Sequence, residues 1–180
     1  MSKRAEKSAS AGQNPPDAQS SKVRVSFVCL GNICRSPTAQ AVMRRLVLEA
    51  KLEDRIEVDS AGTGDWHVGE SRDRRSAAVG KRRGSPLFGV ARQFKTSDFS
   101  RFDYVLAMDR QNLAGLLRLA PDEEARAKVA LLRSFDPQSE PDADVPDPYY
   151  GGAEGFDRVF DICEAACRPL LARIRATHGL

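Results

Sequence analysis

Apolar residues in this chain alternate between two spacings, and the alternation starts at Val23. "VRVSFVCL" (Val23–Leu30) is a β-branched, apolar run, the pattern of a buried central strand. Ala39, Val42, Met43, Leu46 and Val47 then recur at helical spacing, which predicts a helix to about Ala50. Ser36 has an N-cap side chain and Pro37 suits the first helical position, so the helix is expected to begin there. "RIEVDSAG" (Arg55–Gly62) reads as a second strand, residues 72–83 as a short basic helix, and "FDYVLAMD" (Phe102–Asp109) as a third strand. Leu113, Leu116, Leu117 and Ala120 mark a further helix, and "AKVALLRSF" (Ala127–Phe135) a fourth strand. After a loop rich in Pro and Asp, the residues Phe156, Val159, Phe160, Cys163, Cys167, Leu170 and Ile174 line one face of a last helix, with Pro169 expected to kink it. Strands alternating with helices imply βαβ units and a parallel sheet. Ligands of such sheets bind beyond the strand carboxyl ends, where Cys29, Ser60, Asp109 and the loop after Phe135 are all expected.

Residues 1–22 stand outside this pattern. They are rich in Ser, Ala, Gln, Asn and Pro and are expected to be a disordered tail, leaving one domain over 23–180. The tail has no apolar segment after its basic residues, so it does not read as a secretory signal, and no run approaches the roughly 18 apolar residues of a membrane span. The chain is 41% hydrophobic and 29% charged with a net charge of only +3, so whole-chain charge does not point to nucleic acid. The expected location is the cytoplasm, where four cysteines are more readily free or catalytic than a disulfide framework. Charge is nonetheless uneven: basic residues crowd Arg72–Lys95, and acids crowd Asp136–Asp147. Charge runs of this kind are usually solvated faces, and the basic one could also form a rim for phosphorylated ligands.

The chemistry concentrates in "FVCLGNICRSPTAQAV" (Phe27–Val42). Cys29 and Arg35 satisfy C-x5-R, a spacing that chance supplies about half a time in a chain of this composition. Cys167 and Arg173 repeat it inside the last helix, without glycine or a strand-to-helix turn, and read as a core thiol and a surface arginine. Context distinguishes the first match. Gly31 and Asn32 are the residues best able to take left-handed angles, so Leu30, Gly31, Asn32, Ile33, Cys34 and Ser36 can wrap an anion with inward N–H groups. The following helix adds its positive end, and Arg35 offers a bidentate fork to phosphate. The same field favours the thiolate of Cys29, which could attack phosphorus and form a phosphocysteine. A leaving oxygen needs a proton. His67 and His178 are not expected to pair with the cysteine, which argues against a papain-like hydrolase. A loop carboxylic acid is the better candidate: Asp147, stiffened between two prolines, with Asp142 and Asp144 as rivals that spacing alone does not eliminate.

"VCLGNICRSP" together with "DSAGT" (59–63), "ARQ" (91–93), "FDYVLAMD" and a late "DPYY" resembles the low-molecular-weight protein tyrosine phosphatases, from about Val23 to the C-terminus. The resemblance implies a four-stranded parallel sheet flanked by helices on both faces, a flavodoxin-like three-layer sandwich. It implies Cys29 as nucleophile, Arg35 as phosphate ligand, Ser36 as hydrogen-bond partner of the thiolate, Asn32 tied to Ser60 as loop support, and Asp147 as general acid and then base. It also implies that Cys34 forms a reversible protective disulfide with Cys29. Trp66, Tyr149 and Tyr150 would wall the cradle and favour a long aryl phosphate. Ile33, and Tyr after Pro148, resemble the tyrosine-specific branch; related phosphoarginine phosphatases tend to carry Thr at the position of Ile33. The implied partners are tyrosine-phosphorylated proteins, a bacterial tyrosine kinase among them, and phosphate or another oxyanion in the loop. No metal, cofactor, nucleic acid or membrane is implied. One departure stands out: relatives often carry His two residues before Ala-Arg-Gln, supporting the Asn–Ser network, where this chain has Gly89.

Other classes fit less well. A thiol-coupled arsenate reductase shares the loop but needs two more cysteines on a mid-chain segment, and here no Cys lies between 34 and 163. A phosphotyrosine-binding module would not need Cys29, Arg35 and Asp147 together. A nucleic-acid binder using Arg72–Arg83 lacks interleaved aromatics.

Overall fold

The computed structural model describes residues 22–180; the tail expected over 1–22 lies, apart from Lys22, outside the described residues. Strand β1 (Val23–Cys29) pairs on one side with β2 (Ile56–Gly62) and on the other with β3 (Tyr104–Ala107), which pairs with β4 (Val129–Leu131). All pairs are parallel and the order is β2-β1-β3-β4. The chain leaves β1 in one direction along the sheet and later crosses to its other edge, so the loop after β1 sits at the switch point.

Helices α1 (Arg35–Glu49) and α6 (Ala153–His178), with α2 (Arg74–Arg82) beside them, cover one face. There Val25, Phe27 and Cys29 meet Val42, Met43 and Leu46 of α1 and Phe160, Cys163 and Leu170 of α6. The short α3 (Asp98–Arg101), α4 (Arg110–Leu119) and α5 (Glu123–Ala127) cover the other face, where Val28 and Val105 meet Phe94, Phe99, Phe102 and Leu116. Alternation along β1 thus feeds two cores, and Phe27, fully buried at its centre, would cost about 3–5 kcal/mol to truncate to alanine. Among the described residues no helix is long and apolar enough to cross a membrane.

The expected elements are present, with corrected ends. The third strand stops at Ala107, because Asp109 accepts from Asn112 N at 2.7 Å and caps α4. The fourth is three residues long and gives way to a 3-10 turn, Leu132–Phe135. Its apolar run was compatible with either, since Leu132 is buried in both. Helix α1 begins at Arg35, one residue before Ser36, so Ser36 is not its N-cap; Cys34 holds that position and makes no side-chain cap. The Ser36 hydroxyl is instead drawn inward by the Cys29 thiol. Helix α6 runs through Pro169 as one element. The carbonyl that Pro169 leaves without a donor belongs to Ala165, on the exposed side, where water can bond it.

Much of the basic run is paired with acids. Arg83 reaches Asp161 on α6 at 2.7 Å, Arg82 pairs with Asp157, and Arg75 pairs with Asp73 at 2.8 Å. Asp73 also caps α2, accepting from Arg75 N at 2.8 Å, and its own N–H donates to Ile33 O at 2.9 Å. The start of α2 is thereby fastened to the loop after β1.

Candidate active site

Loop 30–34 leaves the end of β1 and is bound to the end of β2. Thr63 N donates to Cys29 O at 2.8 Å and Gly64 N to Leu30 O at 2.9 Å. The approach is so close that a Cβ on Gly62 would lie 2.7 Å from Leu30 O. Asn32 takes the left-handed conformation, φ 55°, and this turns its N–H onto Cys29 Sγ at 3.2 Å. Its side-chain amide is saturated. Nδ2 donates to Ser36 Oγ and to Ser60 Oγ, both at 2.9 Å, and Oδ1 accepts from Arg72 Nη1 at 2.9 Å and Arg92 N at 3.0 Å. An amide has two donors and two acceptor sites, and all are used. Ser60 Oγ in turn donates to Gln40 Oε1 at 2.7 Å.

The Ser36 hydroxyl lies 3.0 Å from Cys29 Sγ and 3.2 Å from Ala61 O. Its single proton serves whichever needs it. With Cys29 a thiol, the S–H can donate to Ser36, which donates to Ala61 O; with Cys29 a thiolate, Ser36 can donate to sulfur.

Arg35 is almost wholly buried and points back under the loop. Nη1 donates to Asp109 Oδ2 at 2.5 Å and to Val145 O at 3.3 Å, and Nη2 donates to Asp147 Oδ2 at 2.8 Å. Burial works against the cation, but Cys29, Asp147 and Asp109 outweigh it and hold the guanidinium above its ordinary value. Of the three loop acids, Asp147 is the one lining the cavity that contains Cys29; Asp144 pairs with Arg110 at 3.1 Å, and Asp142 is exposed.

That cavity, about 170 Å³, is lined by Cys29, the loop, Arg35, Asp147, Trp66, His67, Tyr149 and Tyr150. Trp66 is 60% exposed, Tyr149 39% and Tyr150 95%, so the aromatics stand up from its mouth. Tyr149 and Tyr150 meet edge to face at 5.0 Å between centroids. Of the residues expected to serve this site, Cys29 to Gly31, Ile33 to Arg35, Trp66, Asp147, Tyr149 and Tyr150 line the cavity, while Asn32, Ser36 and Ser60 are buried and bonded to one another beside Cys29.

Four more residues escaped sequence reasoning. His67, expected only as a loop residue that would not pair with the cysteine, lines the cavity and bonds Glu70 Oε2 through Nδ1 at 2.6 Å. Asp109 was expected at a strand end but without a partner. Arg75 donates to Tyr149 O at 3.1 Å, with its guanidinium 5.3 Å from the Tyr149 ring centroid. Arg72 was one of many bases. The available signal was weak: an acid directly after a strand, and a histidine next to a tryptophan.

The cysteines separate by environment. All four are free. Burial, and then Asp73, push the Cys34 thiol up to about 12. Burial likewise pushes Cys163 up to about 12 and Cys167 well above its ordinary value. Cys167 is indeed a core residue and Arg173 is exposed, so the second C-x5-R spacing forms no site.

Residues 24–179 match the model of the family described as low molecular weight phosphotyrosine protein phosphatase. A low molecular weight protein-tyrosine-phosphatase of Streptomyces coelicolor is 54% identical over 153 residues, 84% of this chain and 93% of that protein. The human low molecular weight phosphotyrosine protein phosphatase is 42% identical over 157 residues, 87% of this chain and 98% of its own. Among solved structures, a protein tyrosine phosphatase from Entamoeba histolytica, with Hepes in its active site, superposes with a TM-score of 0.83 at 41% identity, covering 87% of this chain and 99% of that one. On the match over residues 24–179 and on these identities and coverages, this chain belongs to the low molecular weight phosphotyrosine protein phosphatase family.

Proposed function

We propose that this chain is a protein-tyrosine phosphatase that hydrolyses phosphotyrosine in proteins, and small aryl phosphates, through a phosphocysteine. The observation that carries the reading is the cavity with Cys29 Sγ at its base, hydrogen-bonded by Asn32 N and near Ser36 Oγ, and with Arg35 and Asp147 in the same wall. The phosphate dianion enters the loop, and Arg35 exchanges its bond to Asp147 for phosphate oxygens while Asp109 keeps hold of Nη1. The Cys29 thiolate attacks phosphorus; the P–O bond to the aryl group breaks, and Asp147, as the acid, gives its proton to that oxygen. Asp147, now a carboxylate, takes a proton from water as the water oxygen attacks phosphorus. The P–S bond breaks, phosphate leaves, and the sulfur regains its charge facing the Ser36 hydroxyl.

Trp66, Tyr149 and Tyr150 act as the walls that accept an aromatic ring above the phosphate. Ile33 leaves the loop without the Thr of the phosphoarginine enzymes. Oxidation extends the scheme. Peroxide converts Cys29 to a sulfenic acid and is itself reduced to water; Cys34 sulfur then attacks, water leaves, and a disulfide protects the nucleophile from further oxidation. Free thiols of this kind suit a reducing compartment, the cytoplasm, and a bacterial tyrosine kinase is the partner that the resemblance suggests.

Turnover of para-nitrophenyl phosphate and of matched phosphotyrosine and phosphoarginine peptides tests the reading. Cys29→Ser should be inactive, Asp147→Ala slowed about 10²–10⁴-fold, and the phosphotyrosine peptide preferred. Full activity in Cys29→Ser would remove the covalent route.

A further inference from the structure

Arg72 is the residue of the basic run that turns inward. Its Nη1 donates to Asn32 O at 2.6 Å and to Asn32 Oδ1 at 2.9 Å, clasping both carbonyl groups of one residue. Its Nε donates to Phe88 O at 3.2 Å. Gly89 lies beside this guanidinium: its φ of +78° suits glycine, and a Cβ there would only touch Arg72 Nη2, at 3.7 Å. Here no side chain projects from it, and the guanidinium lies alongside.

We propose that Arg72 is a positioning residue of the phosphate loop: its guanidinium locks Asn32 in the left-handed conformation that aims the Asn32 N–H at Cys29 Sγ, and sets a fixed positive charge near the thiolate. The inference rests on the reading of Cys29 as nucleophile. Asn32 is the hub through which the clasp acts. Its backbone N–H touches Cys29 and its Nδ2 fixes both Ser36, the other partner of the sulfur, and Ser60. Without Arg72, Asn32 O and one site of Oδ1 lose their donor, and the left-handed backbone loses the bond that spans it. The group remains a cation, as arginine does in proteins, although it is held below its ordinary value. Burial lowers the Arg72 guanidinium, as does nearby Arg92, while Cys29 and Asp59 oppose the shift. The other groups around Cys29 are Arg35 and Asp147 in the cavity wall, His67 across its mouth, and the thiols of Cys34 and Cys163. Arg72 is thus a second cation, one residue removed from the sulfur through Asn32, that never has to leave for substrate, whereas Arg35 divides its bonds between carboxylates and phosphate.

The test compares wild type with Arg72→Ala, Arg72→Gln and Arg72→Lys on three readouts: kcat and KM for para-nitrophenyl phosphate, the pH profile of Cys29 alkylation by iodoacetamide, and the melting temperature. Loss of charged hydrogen bonds at the nucleophile loop should lower kcat about 10–100-fold in Arg72→Ala with a smaller change in KM. The alkylation profile should move to higher pH in Arg72→Ala and Arg72→Gln, and Arg72→Lys should recover part of the shift. A scaffold role alone would change the melting temperature and leave the alkylation profile in place. That result, or wild-type kcat in a folded Arg72→Ala, overturns the proposal; should Arg72→Ala not fold, Arg72→Gln and Arg72→Lys decide it by the same readouts. A dead Cys29→Ser beside an unaffected Arg72→Ala would leave the phosphatase reading standing and remove this one.

Discussion

Arg35 is held by two carboxylates with different tasks, and substituting each by asparagine separates them. Asp109 is mostly buried, at 2.5 Å from Nη1, and also caps α4. Asp147 is 43% exposed at 2.8 Å from Nη2 and lines the cavity. Removing one partner of a fully buried pair costs about 3–5 kcal/mol. In Asp109→Asn the amide still offers an oxygen to Arg35 and to the α4 cap, and Asp147 still balances the guanidinium. The loss is then closer to one charge-assisted hydrogen bond, about 1.5–3 kcal/mol. For a domain of this size that lowers the melting temperature by about 3–12 °C. Asp147→Asn breaks a solvent-screened contact and should cost under about 1 kcal/mol. Activity should rank the other way. Asp147→Asn loses the proton donor and about 10²–10⁴ in kcat, while Asp109→Asn loosens the phosphate fork and costs about tenfold in kcat/KM. Urea unfolding at pH 7 and steady-state turnover of para-nitrophenyl phosphate measure both. Equal destabilisation by the two variants, or wild-type stability in Asp109→Asn, would refute the division of labour.

Further outcomes follow from the burial of the thiols and from the ion pairs of α6. Brief iodoacetamide treatment of the native protein near pH 7, read by mass spectrometry, should label Cys29 and spare Cys34 and Cys163, which burial holds up to about 12; native Cys29→Ser should take up almost no label. Recovery of activity by dithiol after peroxide should be good in wild type and poor in Cys34→Ala, and equal recovery would remove Cys34 from redox protection. Glu164 is held below the usual carboxylate range: burial opposes this, but Arg45, at 2.5 Å, and Arg168 prevail. Such a group stabilises the fold above its unfolded value, about 4.3, and loses that contribution as pH falls through the lower folded value. Glu164→Gln should therefore be less stable than wild type at pH 7 by about 0.5–2 kcal/mol, with the gap closing below about pH 4 in urea titrations.

The alternation of spacings made the α/β architecture legible, because a strand buried on both sides and an amphipathic helix leave different periods. The ends were less so. Ala127–Phe135 is one apolar run, yet β4 occupies only Val129–Leu131, since burial of Leu132 suits a turn as well as a strand. Ser36 carried the signature of a helix cap, and the same hydroxyl serves the thiol instead. The loop was legible because its chemistry is local: Cys29, Asn32, Arg35 and Ser36 lie within eight residues. Asp109 and Arg72 meet that loop across 74 and 40 residues, and nothing near them in sequence says so. In the basic run, composition alone gave Arg72, Arg75 and Arg83 the same weight. Folding sends one to the loop, one to a tyrosine and one to α6.

The parallel order β2-β1-β3-β4 has a consequence for synthesis on the ribosome. Cys29 is made early, but β1 lacks its second neighbour until residue 107 has emerged, and Arg35 meets no Asp147 until residue 147 has. Helix α6, which closes the core over α1, comes last of all. A nascent chain therefore carries the proposed nucleophile long before the groups that orient it have emerged. Products truncated before residue 147 would hold Cys29 and Arg35 without the carboxylate that meets them.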